Sequence, residues 1–170
     1  MTLGHIMFYV LGAGGVASAL LVVTRRNPII SALYLIVNFF CLAGLYLTLN
    51  AQFIAVIQII VYAGAIMVLF LFVIMLLNLG DDRKLSDAIT VRKVVGAGLT
   101  LGLFMEVLYI LLTAGPADSE RAEAAGIALG TVEAIGAQLF TTFLFPFEVT
   151  SLILTAAIVG AVVMAKKKLD

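Results

Sequence analysis

Polar side chains that lie inside long apolar runs are the groups of this chain that can carry chemistry. No Asp, Glu, Lys or Arg occurs between Asn27 and Gly80, so this stretch offers only neutral polar groups. Gln58 and Tyr62 are four residues apart, and this spacing places an amide and a phenol on one face of a helix. Such groups either link helices by hydrogen bonds or hold water, and both interpretations remain open.

The same spacing occurs one apolar run earlier, at Tyr34 and Asn38. Immediately after Tyr62, an Ala-Gly-Ala step centred on Gly64 removes side-chain bulk. Small residues either let a second helix approach closely or let the backbone depart from regular α-helical geometry. This segment is therefore the first candidate for an irregular, functional stretch.

Two carboxylates also lie in apolar runs, Glu106 near the middle of one and Glu148 in the outer part of another. A charge in the bilayer costs at least a few kcal/mol, so an intramembrane acid is a functional candidate. No Lys or Arg of this chain lies at the depth of Glu106, which needs a partner subunit, water or a proton. A protonated structural acid and a proton relay are both open for Glu106. For Glu148, a functional role and anchoring at the interface are both open.

Other kinds of site are not indicated. The chain has one cysteine and one histidine, and its formal net charge is zero. We find no Walker loop, Rossmann glycine pattern, nucleophile triad or haem-ligand pair. The sequence therefore predicts no cofactor, metal ion or nucleic acid bound by this chain, and no enzyme acting alone.

The elements that must position these residues are transmembrane helices. The chain is 64% hydrophobic and 12% charged, with a mean hydropathy of +1.21, whereas a soluble domain carries roughly 25% charged residues. The apolar residues form runs of about 20, the length that a bilayer requires. We predict one all-α transmembrane domain over residues 1–170, with helices at 5–24, 28–49, 53–79, 94–114 and 139–165 and polar loops at 80–93 and 115–138.

The third run is unusually long. Its helix would extend about 40 Å at 1.5 Å per residue, which exceeds the ~30 Å hydrocarbon core of a bilayer. Tilt, a protruding end or an irregular turn must take up the difference.

Loop charge predicts the orientation of the helices. Nine Lys and Arg residues follow the first, third and fifth runs, whereas only Arg121 lies on the other side. Because positive loops stay in the cytoplasm, we expect the N-terminus outside, in the periplasm of a bacterium, and the C-terminus in the cytoplasm.

Three stretches resemble one protein family. Residues 58–76 (QIIVYAGAIMVLFLFVIML) closely resemble the signature helix of subunit J of proton-pumping NADH:quinone oxidoreductase, respiratory complex I, the counterpart of mitochondrial subunit 6. Residues 26–33 (RNPIISAL) resemble the start of that family's second helix, and residues 147–154 (FEVTSLIL) resemble its last helix. The fourth run and the loop at 115–138 are not distinctive.

The resemblance implies a place in the membrane arm beside subunits A, H, K and N, in a bacterial inner membrane. It also implies that the third helix contains a π-bulge near Tyr62, which opens or closes a water path between the quinone end and the proton channels. Some relatives carry Glu where this chain has Gln58, so a proton path here must use water, the Tyr62 phenol or a neighbour's acids. NADH, FMN, iron–sulfur clusters and a quinone would be bound by other subunits.

The expected function is therefore coupling of quinone reduction to proton pumping. Its candidate proton-path or gating residues are Gln58, Tyr62, Gly64, Glu106 and Glu148. The resemblance supports Glu148 but adds nothing for Glu106. The alternatives are a subunit of a related membrane-bound hydrogenase, of a multisubunit cation/proton antiporter or of a plastoquinone-using relative, or a passive helical spacer.

Overall fold

Within the described residues, five helices are long and apolar enough to cross a membrane, which confirms the predicted all-α membrane class. A computed structural model describes residues 3–77, 91–113 and 130–166. The first span is Leu3–Thr24, the second is Pro28–Thr48, the third is Gln52–Leu76, the fourth lies in the helix Val91–Thr113, and the fifth is Leu144–Ala165. The predicted polar residues at 80–90 and 115–129 lie outside the described residues.

A short charged turn separates the first two spans. The side chain of Asn27 accepts hydrogen bonds from the backbone N–H groups of Ile29 and Ile30, at 2.9 and 3.2 Å. Pro28 follows at the first helical position, where its missing N–H group costs nothing. Asn27 and Pro28 therefore cap the second span and fix the tight reversal of the chain.

The second span ends in a left-handed turn at Asn50, whose φ is 60°. The N–H of Ala51 donates to the carbonyl of Tyr46 at 2.9 Å, and the N–H of Asn50 donates to the carbonyl of Leu47 at 3.1 Å. This pair of bonds is the Schellman arrangement, in which asparagine tolerates the left-handed conformation. The turn satisfies carbonyl groups that would otherwise be unpaired inside or near the lipid.

The first and second spans pack closely because glycines line their contact. A Cβ atom on Gly14 would lie 3.2 Å from the Cys41 sulfur, and one on Gly44 would lie 2.7 Å from the Leu11 Cδ1 atom. Gly15 is also buried in this contact, and a Cβ atom there would lie 3.7 Å from the Cys41 Cβ atom. Gly12 lies outside the contact and has nothing within 4 Å.

The second and third spans share the apolar core of the molecule. Ala32 of the second span is buried with Met67 and Ile74 of the third. Four partly buried residues surround them: Leu35, Ile36, Phe39 and Leu71. The second span therefore lies in the middle of a packed unit of three helices, and both neighbours are held against it.

The last part of the chain departs from its predicted boundaries. Val132–Phe140 is a short helix, capped by the Thr131 hydroxyl, which accepts from the Ala134 N–H at 3.2 Å. A turn at 141–143 separates it from the fifth span, which begins at Leu144. The predicted loop to residue 138 and the single helix from 139 are therefore corrected: hydropathy is continuous across the turn and does not reveal it.

Candidate functional site

The third span contains a π-helical segment. Gln58–Ile66 is π-helical over nine residues, between the α-helical stretches Gln52–Ile57 and Met67–Leu76. At its end the Met67 N–H donates to the Tyr62 carbonyl, five residues earlier in the chain. Segments of this kind are rare and are frequent at functional sites. It includes Gln58, Tyr62 and Gly64, the residues that the sequence singles out.

Gly64 fits the π-helical register because it has no side chain. A Cβ atom at position 64 would lie 3.2 Å from the carbonyl oxygen of Ile59, five residues back. This Cβ–oxygen distance is tighter than most contacts that real Cβ atoms make, so the Ile59 carbonyl would have to shift slightly. Any larger residue at position 64 must therefore push against the backbone of the π segment.

The buried face of the third span changes register at this segment. Ala55 and Gln58 are buried at its beginning, and Ala63, Met67 and Ile74 are buried after it. Buried residues of an α-helix recur every three or four positions, but the step from Gln58 to Ala63 is five. The extra residue of the π turn thus lets both halves of the span face the second span.

Gln58 and Tyr62 have different surroundings. The Gln58 side chain is 7% exposed, whereas Tyr62 is 45% exposed. Within the described part of the chain, no hydrogen bond joins the Gln58 amide to the Tyr62 phenol. The four-residue spacing therefore does not join the amide and the phenol by a hydrogen bond, since the five-residue step gives Ala63 the buried position that follows Gln58.

The Tyr62 ring contacts an aromatic residue that sequence reasoning did not identify. Phe39 of the second span meets it edge to face, with ring centroids 5.7 Å apart and an interplanar angle of 63°. Such pairs contribute about 0.5–1.5 kcal/mol beyond their buried area. Nothing in the spacing of Phe39 marks it, because phenylalanine in a transmembrane helix is equally typical of a lipid-facing position.

Asn38 is a structural residue, in agreement with one of its two interpretations. Its amide nitrogen donates to the Gly15 carbonyl at 2.7 Å and to the Ser18 hydroxyl at 3.2 Å. The Ser18 hydroxyl in turn donates to the Gly15 carbonyl at 2.9 Å. These bonds link the first two spans and give the amide no role near the π segment.

Tyr34 likewise serves the turn between the first two spans. The Arg25 guanidinium carbon lies 5.7 Å from the centroid of the Tyr34 ring, within the range of a cation–π contact. The Tyr34–Asn38 pair therefore repeats the spacing of Gln58 and Tyr62 without repeating their surroundings.

The two intramembrane acids lie away from the π segment. Glu106 is exposed in the fourth span and Glu148 is exposed near the start of the fifth. The Glu148 backbone carbonyl accepts from the Ser151 hydroxyl at 2.7 Å, while no ion pair of its carboxylate occurs among the described residues. The structure therefore brings Gln58, Tyr62 and Gly64 together in one segment and leaves both acids outside it.

No cluster of three or more potential metal ligands occurs among the described residues. Together, five spans within the described residues, an uncharged π-helical third span and two exposed acids define a polytopic α-helical membrane protein.

Comparison with known proteins identifies the family. Residues 18–164 match the family described as NADH-ubiquinone/plastoquinone oxidoreductase chain 6, and the chain belongs to this family. It is 37% identical to the NAD(P)H-quinone oxidoreductase subunit 6 of the Paulinella chromatophora chromatophore, over 96% of this chain and 78% of that protein. It is 34% identical to the NADH-quinone oxidoreductase subunit J of Rhodobacter capsulatus, over 96% of this chain and 82% of that protein. The family expected from the resemblance is thereby confirmed.

Proposed function

We propose that this chain is a membrane subunit of a proton-translocating NADH:quinone oxidoreductase, in which its third span gates a hydrated proton path. Membership of the family and the name of the Rhodobacter relative support the assignment to such a complex. The nine-residue π segment, Gln58–Ile66, supports the gate. The chain binds no redox cofactor itself, and the complex carries NADH, FMN, iron–sulfur clusters and a quinone in other subunits.

The five-residue step in the buried face is the observation that carries the gating proposal. If the π segment closes to α-helix, one residue leaves the bulge, and each residue of an α-helix turns the chain by about 100°. One half of the span then rotates against the other. The buried position after Gln58 passes from Ala63 to Tyr62, and the phenol and the amide change their access to water.

The path uses water and neutral groups at this depth. The Gln58 amide and the Tyr62 phenol are uncharged side chains that can each donate and accept hydrogen bonds. An ionised group is therefore unnecessary at the gate, and the switch depends on whether water connects the two groups. Glu148, near the start of the fifth span, is the proposed acid at the outer end of the path.

Within the complex we place the chain beside the counterparts of subunits A, H, K and N, in a bacterial inner membrane. Relatives from a chromatophore and from Nostoc, at 37% and 36% identity, are named NAD(P)H-quinone oxidoreductase, and an oxidoreductase of that name is the second candidate. Purification from the native membrane distinguishes the two. Co-isolation with an NADH-oxidising arm that contains FMN and iron–sulfur clusters supports the first assignment, and its absence supports the second or a related hydrogenase or antiporter.

The gate is tested at Tyr62 in the assembled complex. We expect Tyr62→Phe to leave assembly intact and to lower the number of protons pumped per quinone reduced several-fold, because the phenol oxygen is lost from the water path. Tyr9→Phe in the first span removes the same oxygen from an exposed tyrosine and is the matched control. If both variants pump the same number of protons per quinone reduced, the gating proposal is wrong and the alternative of a passive helical spacer remains.

The register of the third span is tested at Gly64. Gly64→Ala places a Cβ atom 3.2 Å from the Ile59 carbonyl oxygen and should shift the segment towards α-helix. We expect altered coupling with normal assembly, and a changed backbone hydrogen-bond pattern between residues 60 and 68 in the structure of the complex. Gly160→Ala, which adds a Cβ where nothing lies within 4 Å, controls for the methyl group.

A further inference from the structure

The fourth span has no packing partner among the described residues of this chain. Its side chains with described exposure are all exposed, and no other element within the described ranges packs against Val91–Thr113. The helix nevertheless carries a carboxylate, Glu106, about 18 Å along its axis from Val94. This depth lies within the ~30 Å hydrocarbon core.

The residues around Glu106 form one face of this helix. Gly98, Gly102 and Glu106 are spaced four residues apart and therefore lie on one side of the helix. Met105, one residue before Glu106, and Tyr109, three residues after it, lie on the same side. We call these five residues the Glu106 face. A Cβ atom on Gly98 or Gly102 would meet nothing within 4 Å, so the glycines leave room for the backbone of another chain.

The carboxylate of Glu106 limits the kinds of group that can pack against this face. An ionised carboxylate in hydrocarbon costs several kcal/mol unless a cation or hydrogen-bond donors compensate for it. In the sequence, none of the ten Lys and Arg residues of this chain falls between Val94 and Thr113, and the described cations Arg25, Arg26 and Lys166 lie outside the fourth span. Water, a proton or a group of another subunit can compensate Glu106, and the neighbouring glycines favour another subunit because they leave room for its backbone.

We propose that the Glu106 face is the docking site for a transmembrane helix of a neighbouring subunit that presents a Lys or Arg at the same depth. The glycines allow that helix to approach closely, and the cation pairs with Glu106. Tyr109, 68% exposed, lies one turn further and offers a phenol to the same cation or to its backbone. This inference rests on the proposed membership of a multisubunit complex but not on the gate.

Retention of the chain in the purified complex tests the docking site. We expect Glu106→Leu to lower the retained fraction at least about tenfold, because it leaves a buried cation unpaired, and Glu106→Asp to restore most of it. Gly102→Val should also lower retention, whereas Gly96→Val should not. Gly96 lies off this face and likewise has nothing within 4 Å, which makes it the matched control.

A photo-crosslinking residue at Met105 identifies the occupant in the assembled complex. The expected product is one neighbouring subunit, crosslinked within a turn of a Lys or Arg of a transmembrane helix. Exchange of the charges, Glu106→Lys with that cation changed to Glu, should then restore retention. Crosslinks to lipid alone, a partner helix without a basic residue, or unchanged retention in Glu106→Leu would each overturn the proposal. Proton pumping per quinone reduced is measured separately, so a failure of the gate at Tyr62 leaves this result interpretable.

Discussion

The first three spans and the last two differ in how they accommodate polar side chains in the membrane. Within the first three, the first two spans are joined by polar groups of this chain: the Asn38 amide and the Ser18 hydroxyl both donate to the Gly15 carbonyl, and glycines allow close packing. In the fourth and fifth spans, Glu106 and Glu148 are exposed, and neither span packs against the first three. The contrast teaches that the first three spans form a packed unit within this chain, whereas the fourth and fifth present the faces on which we propose that neighbours pack.

Membrane physics explains why the contrast is possible. Lipid tails are as apolar as leucine, so an apolar helix gains little from packing against its own chain, and close contact and hydrogen bonds decide which helices associate. The first two spans have both, whereas the fourth has glycines and an acid but no partner within the described residues. Four substitutions test this difference, in order of decreasing expected effect.

The largest effect is expected at Gly44. Gly44→Val would force a branched side chain into Leu11, whose Cδ1 atom lies 2.7 Å from the position of a Cβ, and overpacking of this kind costs about 1–3 kcal/mol. The free energy of unfolding of the purified chain, measured by SDS titration in mixed micelles, should fall by that amount. Gly160→Val in the fifth span, with nothing within 4 Å, should leave it unchanged. Equal losses of unfolding free energy in the two variants would contradict the difference between the first three spans and the last two.

Asn38 comes next. Asn38→Ala removes the amide bonds to the Gly15 carbonyl and the Ser18 hydroxyl. Interhelical bonds in membranes contribute about 0.6 kcal/mol on average and up to about 1.7, so we expect a loss of about 1–2 kcal/mol. Faster amide hydrogen exchange in the first two spans of the complex is the measurement. Ser18→Ala, which removes one of the two acceptors of the Asn38 amide, should have about half the effect. If hydrogen exchange is unchanged in both variants, the Asn38 amide does not stabilise the contact between the first two spans.

The turn at Asn50 should have a smaller effect. Asn50→Ala places a residue that disfavours the left-handed conformation at a φ of 60° and should cost about 1 kcal/mol. Asn50→Gly should cost nothing, since glycine adopts this conformation freely. The thermal unfolding temperatures of the two variants separate this conformational effect from loss of the side chain. A lower unfolding temperature in both variants would mean that the asparagine side chain itself stabilises the turn.

The smallest effect is expected at Glu148, and only in the complex. Glu148→Gln removes a charge that has no ion pair among the described residues, so the isolated chain should be unaffected. An interfacial ion pair contributes about 0.2–1 kcal/mol, which corresponds to a loss of up to about fivefold in assembled complex or coupled turnover. Ser151→Ala, which removes a bond to the Glu148 backbone carbonyl, is the control. Normal assembly and turnover would show that Glu148 acts only as an anchor at the membrane interface.

Much of the fold follows from sequence because its causes are local. Runs of apolar residues long enough for a bilayer predict the five spans, and Asn27 and Pro28 mark the start of the second. The turn at 141–143 could not be predicted, since two threonines are its only polar residues and transmembrane helices tolerate threonine. The different exposure of Gln58 and Tyr62 could not be predicted either, because a four-residue spacing places two side chains on one face of an α-helix and this segment is π-helical.

By itself, the sequence determined the membrane class, the spans and the residues with polar groups at membrane depth. Those properties depend on the length and composition of single segments and on the free energy of moving them into lipid. Only the tertiary structure decided the role of each polar group. Asn38 links helices because glycines bring the first two spans together. Gln58 is buried and Tyr62 half-exposed because one extra residue in the π turn lets both halves of the third span pack against the second.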